Sequence, residues 1–192
     1  MSGRIRSKIA TRAHRLLPVR LVRRFARRQD GSAAIEFAFI AAPFIALTFA
    51  ILETALVFFA GQTLETAVSE AGRLIMTGQA ASFSQSDFKT QVCAILNGGM
   101  FDCANGVYIN VATYNSFSAV NNTAPVVNGT FDTTQMTYLP GGPNCIVAVT
   151  LYYQWPVYVT YFGDSLTNLN GGSRLLAATS VFRNEPYGPA AC

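Results

Sequence analysis

From Ile35 to about Phe59 the chain is apolar on every side of a helix, and from Leu64 the apolar positions narrow to a stripe. Leu64, Ala67, Val68, Ala71, Leu74 and Ile75 recur at helical spacing, with Gln62, Glu65, Thr66, Ser69, Glu70 and Arg73 on the other side. One helix from Ser32 to about Thr77 accounts for both patterns, its second half packing on a folded body. Gly78 stands where a C-cap glycine belongs. Pro43 removes one backbone donor, so a kink or loosening is expected near Ala38–Pro43. Ser84-Gln85-Ser86-Asp87 offers N-cap choices for a short helix to about Leu96, with Phe88, Val92, Ile95 and Leu96 as its buried face and Asn97-Gly98-Gly99 as its stop. Beyond it the period drops to two. Val107–Tyr114 and Ile146–Tyr153 read as strands, followed by Val157–Phe162 after the Trp155-Pro156 break and by Leu175–Phe182. Residues 115–144, rich in Asn, Thr, Gly, Pro and Ser, make a long surface connection with room for a short edge element. The expected class is α+β: a long N-terminal helix, then a small domain with a short helix and an antiparallel sheet.

Length turns the first half of that helix into a membrane span. About 20 apolar residues cross a bilayer core, and Phe37–Leu52 carries no charge at all. The formal net charge of +4 conceals an asymmetry. Residues 1–29 hold nine Arg, one Lys and no acid, whereas residues 30–192 hold four basic and ten acidic side chains. Positive charge flanking the span places the N-terminus in the cytoplasm and the acidic, aromatic-rich remainder outside. A pI near 9.0 would ordinarily suggest nucleic acid. Here the basic charge lies in the leader, against anionic lipid headgroups, so no nucleic-acid partner is expected. The expected division is a cytoplasmic basic leader over 1–31, a long helix over 32–78 that spans the membrane at about 35–59, and an exported domain over 79–192. Glu53 is read as a residue at the level of the outer headgroups.

At the mouth of the span lies Gly31-Ser32-Ala33-Ala34-Ile35-Glu36-Phe37. Gly and Glu five residues apart mean little alone; their position between a basic tail and an apolar run makes the spacing specific. It resembles the processing site of type IV pilin-like proteins, where the leader ends at the glycine. Cleavage between Gly31 and Ser32 would create a cationic α-amine near neutral pH. Glu36 of one subunit is then expected to neutralise that amine on a neighbour, a pairing that is strong in a low dielectric. Ordinary secretory cleavage requires small residues after the apolar core, and the tripeptides available there contain Phe58 or Phe59. The alternative is an uncleaved signal anchor carrying a periplasmic scaffold or binding protein.

All four cysteines, Cys93, Cys103, Cys145 and Cys192, fall on the exported side, where disulfides persist. Of the three pairings four cysteines allow, the favoured one joins Cys93 to Cys103 as a short loop closure and Cys145 to Cys192 as a fastening of the C-terminus. The chain has no C-x-x-C, H-E-x-x-H, G-x-S-x-G or P-loop motif, and its one histidine, His14, is in the leader. No catalytic, metal or cofactor residues are assigned, and an enzyme is not expected. Asn121-Asn122-Thr123 and Asn128-Gly129-Thr130 fit glycosylation sequons and are also ordinary loop composition. Trp155, Tyr152, Tyr153, Tyr158 and Tyr161 are candidate partner surfaces.

The run Gly31-Ser-Ala-Ala-Ile-Glu36-Phe37-Ala-Phe-Ile-Ala-Ala-Pro43, the helix with Glu65-Thr-Ala-Val-Ser-Glu-Ala-Gly-Arg73, and the late Arg183-Asn184-Glu185-Pro186-Tyr187 resemble the TadE-like family, minor pseudopilins of the bacterial tight adherence (Tad/Flp) pilus. The similarity is best over residues 28–78. It implies a prepilin peptidase cutting after Gly31, an inner-membrane helix and a periplasmic domain. It further implies contact with other pilins, pseudopilins and the assembly platform, in a role in assembly rather than in the bulk fibre. The leader is longer than most pilin leaders.

Overall fold

The computed structural model describes residues 31–96, 99–158, 166–189 and 192. Readings on the leader, on Asn97-Gly98, on Tyr161 and on most of Val157–Phe162 lie outside them. The chain divides into two compact units, Met1–Ala46 and Leu47–Cys192.

Helix α1 runs over Ser32–Met76, 45 residues, with Pro43 inside it. Within the first unit its described side chains are exposed or half-buried. In the second unit the same helix buries Glu53, Val57, Ala60, Leu64, Ala67, Val68, Ala71, Gly72 and Ile75. The helical stripe read from Leu64 onward therefore begins three turns earlier, at Glu53. Gly78, at φ +77°, turns the chain back, with its N–H donating to the Ile75 carbonyl (3.0 Å) and the Ala80 N–H donating to that of Leu74 (2.9 Å). Helix α2, Gln85–Ile95, starts from a capping box: the Asp87 N–H donates to Ser84 Oγ and the Ser84 N–H to Asp87 Oδ2.

Strands β1 (Val107–Tyr114), β4 (Ile146–Pro156) and β5 (Ser173–Arg183) form one antiparallel sheet in the order β1-β4-β5. Period two sorts the side chains. Val107, Ile109, Val111, Val147, Val149, Leu151, Leu176 and Ala178 face the helices, joining Leu64, Val68, Ile75, Phe88 and Val92 in the main core. Small side chains let α1 approach closely: a Cβ on Gly72 would stand 2.9 Å from Phe182 Cε1. The opposite sheet face carries a second cluster, Tyr152, Leu175, Leu169 and Phe131, flanked by Tyr108. Phe131 comes from a two-stranded hairpin, β2 (Val126–Val127) with β3 (Thr130–Phe131), inside the long connection. Asn128 and Gly129 at its turn have φ of 51° and 74°, the left-handed geometry of a tight hairpin. A one-turn 3₁₀ helix, Phe117–Ala119, precedes the hairpin.

The fold is thus the α+β arrangement the hydrophobic pattern predicts, with two differences. Trp155-Pro156 does not separate two strands: both residues belong to β4, paired with Arg174 and Ser173, and Val157–Tyr158 are not strand. Pro lacks an N–H but can end a strand. Tyr152 and Tyr153 are buried, one on each face of the sheet, so neither offers a partner surface.

Candidate functional site

Gly31 occupies the turn just before α1, and Ser32 is the first helical residue. A Cβ placed on Gly31 would meet nothing within 4 Å, and every residue from Gly31 to Ile40 is exposed. The Gly31–Ser32 peptide bond therefore lies on open chain at a helix start. Ser32 Oγ donates to Glu36 Oε1 at 2.8 Å, because residues four apart in a helix share one face. Ile35, Phe37, Phe39, Ile40, Phe44 and Ile45 are exposed large apolar side chains. Among the described residues α1 is the one helix long and apolar enough to cross a membrane, with a window of mean hydropathy 2.2 that is 0% buried.

Glu53, read from the sequence as a residue at headgroup level, is packed within its own domain. It is only 7% exposed, and its Oε1 accepts the backbone N–H of Tyr158, just past the end of β4. A carboxylate buried on an apolar helix needs such a donor. Tyr158 itself is 81% exposed, whereas Trp155 packs with Phe101 and Tyr153.

The C-terminal Arg183-Asn184-Glu185-Pro186-Tyr187 segment ties separate elements together. Asn184 is 2% exposed; its N–H donates to the Cys145 carbonyl (2.8 Å) and its Nδ2 to the carbonyls of Pro140 (3.1 Å) and Gly142 (2.9 Å). The Glu185 N–H donates to the last carbonyl of α1, on Met76 (2.8 Å). The Tyr187 ring covers Gly78, whose missing Cβ would lie 2.8 Å from it. Cys145–Cys192 and Cys93–Cys103 are disulfides, with Cα separations of 5.3 and 5.8 Å.

A groove of about 500 Å³ lies between the first turn of α2 and β1, lined by Ser86, Lys89, Tyr108 and Met136 among others. A second, of about 310 Å³, crosses the outer face of β1 beside Asn110, Asn121 and Tyr152. Neither gathers acids and bases, and among the described residues no three His, Cys, Asp or Glu come together as a metal site.

One comparison with known proteins falls on helix α1. Residues 31–73 match the family of TadE-like proteins. The matched segment opens on Gly31, includes Glu36 and Glu53, and ends one turn before the close of α1. The comparisons with curated proteins and with solved structures returned no match. Over residues 31–73 the chain thus resembles the TadE-like family, and the matched segment lies on the helix that, among the described residues, is long and apolar enough to cross a membrane.

Proposed function

We propose that the chain is a membrane-anchored minor pseudopilin that takes part in assembling a Tad/Flp-type pilus. Prepilin peptidase removes the leader after Gly31, leaving α1 in the bacterial inner membrane and the sheet domain in the periplasm. The observation that carries this reading is the coincidence of three features at one point. The family match starts at Gly31, the Gly31–Ser32 bond is exposed, and the apolar surface of α1 begins immediately after it. A pilin helix needs that surface twice, against lipid before assembly and against neighbouring helices afterwards.

Glu36 gains a role from the cut. The new amine on Ser32 lies one helical turn from the Glu36 carboxylate, whose Oε1 already accepts the Ser32 hydroxyl. Within an assembly the same carboxylate neutralises the amine of an adjoining subunit. Its partners are prepilin peptidase, other pilins or pseudopilins, and the assembly platform.

N-terminal sequencing of the protein extracted from membranes tests the reading. The expected chain begins at Ser32 and retains 161 of the 192 residues. A chain still beginning at Met1 would establish the uncleaved periplasmic scaffold instead. Glu36→Ala is expected to leave cleavage intact and to reduce surface pili; unchanged piliation would remove the charge-neutralising role.

A further inference from the structure

The two edges of the main sheet are treated differently. On the β1 edge, Thr137–Leu139 runs alongside: the Val111 N–H donates to the Thr137 carbonyl and the Leu139 N–H to the Val111 carbonyl, each at 2.8 Å. Among the described residues the β5 edge is capped only at its start. There the Leu175 N–H donates to Asn168 Oδ1 (2.7 Å), and the Ser173 carbonyl accepts the N–H groups of Asn168 and Leu169 (3.2 and 3.1 Å).

Those bonds set the phase of the strand. Leu175 turns its N–H away from β4, so Ala177, Thr179 and Val181 do the same, because an antiparallel strand alternates the edge it addresses. The far end agrees, since the Asn184 N–H turns inward to the Cys145 carbonyl. The backbone N–H and C=O groups of Ala177, Thr179 and Val181 have no partner among the described residues. Nor is this edge blunted: Leu175–Phe182 contains no charge and no proline, and its one-to-one register with β4 leaves no bulge. Arg174 and Arg183 bracket the uncharged run.

We propose that the Ala177–Val181 edge of β5 is a strand-addition site for an extended, uncharged segment of a different exported polypeptide, with acidic residues at its flanks. Only extended polypeptide supplies donors and acceptors at the two-residue repeat this edge presents. Arg174 donates one N–H to the Leu166 carbonyl and Arg183 one to the Asn144 carbonyl (3.2 and 2.9 Å), and the charge and remaining donors of each favour carboxylates at either end of the incoming strand. A second copy of the chain suits the edge less well. Antiparallel β5–β5 pairing about Thr179 brings Arg174 of one copy beside Arg183 of the other at both ends, so like charges meet. Pairing β5 with the β1 of a copy meets Thr137–Leu139, which already occupies that edge.

The site goes beyond the pseudopilin reading and is tested separately from it, on the full chain. Amide exchange at Ala177, Thr179 and Val181 is expected to be fast in the detergent-purified protein and at least about tenfold slower in native membranes. Equally fast exchange in both would overturn the proposal, and this comparison needs no variant. A photo-crosslinking Ala177→p-benzoylphenylalanine variant is expected to join an uncharged, acid-flanked segment of another exported chain. Thr179→Pro deletes an outward N–H and no backbone bond to β4, though it also removes the 3.1 Å bond between the Thr179 and Thr150 hydroxyls, so it should abolish the adduct while both disulfides still form. An adduct to a second copy, to a segment without that pattern, or one that survives Thr179→Pro refutes the site. Because none of these readouts depends on where the N-terminus lies, failure here is distinguishable from failure of leader cleavage.

Discussion

Two glutamates on one apolar helix have opposite surroundings. Glu36 is exposed beside the hydroxyl of Ser32, while Glu53 is buried and accepts a backbone N–H brought by β4 from more than a hundred residues away. That difference separates a residue available to another molecule from one that holds its own domain together. Replacing Glu53 with Leu keeps the helix apolar and deprives the Tyr158 N–H of its acceptor. The expected cost is about 1–3 kcal/mol, read as a lower denaturant midpoint of the full chain in detergent. Glu53→Gln retains a carbonyl oxygen and should lose much less. Equal losses for Leu and Gln would show that the charge, not the acceptor, matters. The bond of the first acid was legible because Ser32 lies one turn away in sequence. The burial of the second was not, because its partner is set by tertiary packing.

At the scale of elements, α2 offers a pH test. The Ser84 hydroxyl, with the Ser84 N–H, holds the Asp87 carboxyl below the usual carboxylate range. The N–H of Asn105 does the same for Asp102, and the Thr134 hydroxyl for Asp132. All three are lowered on folding. Their stabilisation is therefore complete above the unfolded value of about 4 and is lost as pH falls through the folded values. Unfolding midpoints measured from pH 5 to pH 2 should decline, and Ser84→Ala should lower the midpoint at pH 5 by about 1 kcal/mol while flattening the acid decline. A decline as steep in Ser84→Ala as in the parent would remove the capping box as its source. Elements like α2 could be read directly, since cap, apolar face and stop lie within a dozen residues. So could the stripe from Leu64 to Ile75 and the C-cap at Gly78. Gly72 gave no local sign of its closeness to Phe182, and nothing in residues 115–144 announced that Phe131 would cover Tyr152 or that Leu139 would pair with Val111. The open β5 edge was hidden for the same reason: period two assigns a strand its faces, whereas its free edge depends on which neighbours it acquires.

For the whole molecule, the charge asymmetry and the disulfides make one joint statement about topology. Ten basic residues precede the apolar segment of α1, and on the proposed topology everything after that segment lies outside the cytoplasm. The disulfides close loops in that outer part, Cys93–Cys103 over a separation of 10 residues and Cys145–Cys192 over 47. A cytoplasmic domain would be kept reduced. Cells quenched with acid and treated with a maleimide reagent should therefore yield protein with no labelled cysteine before reduction and four after it. Labelling without reduction would reverse the orientation. The two bonds should also differ in strength. Loop-closure entropy assigns about 3 kcal/mol to the shorter loop and about 4 kcal/mol to the longer. The longer one also fastens the chain end beside Asn184, whose N–H reaches the Cys145 carbonyl. Cys145→Ser with Cys192→Ser should consequently lower the unfolding midpoint more than Cys93→Ser with Cys103→Ser. The reverse order would mean that the C-terminal segment is held chiefly by the hydrogen bonds of Asn184 and Glu185, and that the Cys145–Cys192 bond restrains little beyond them.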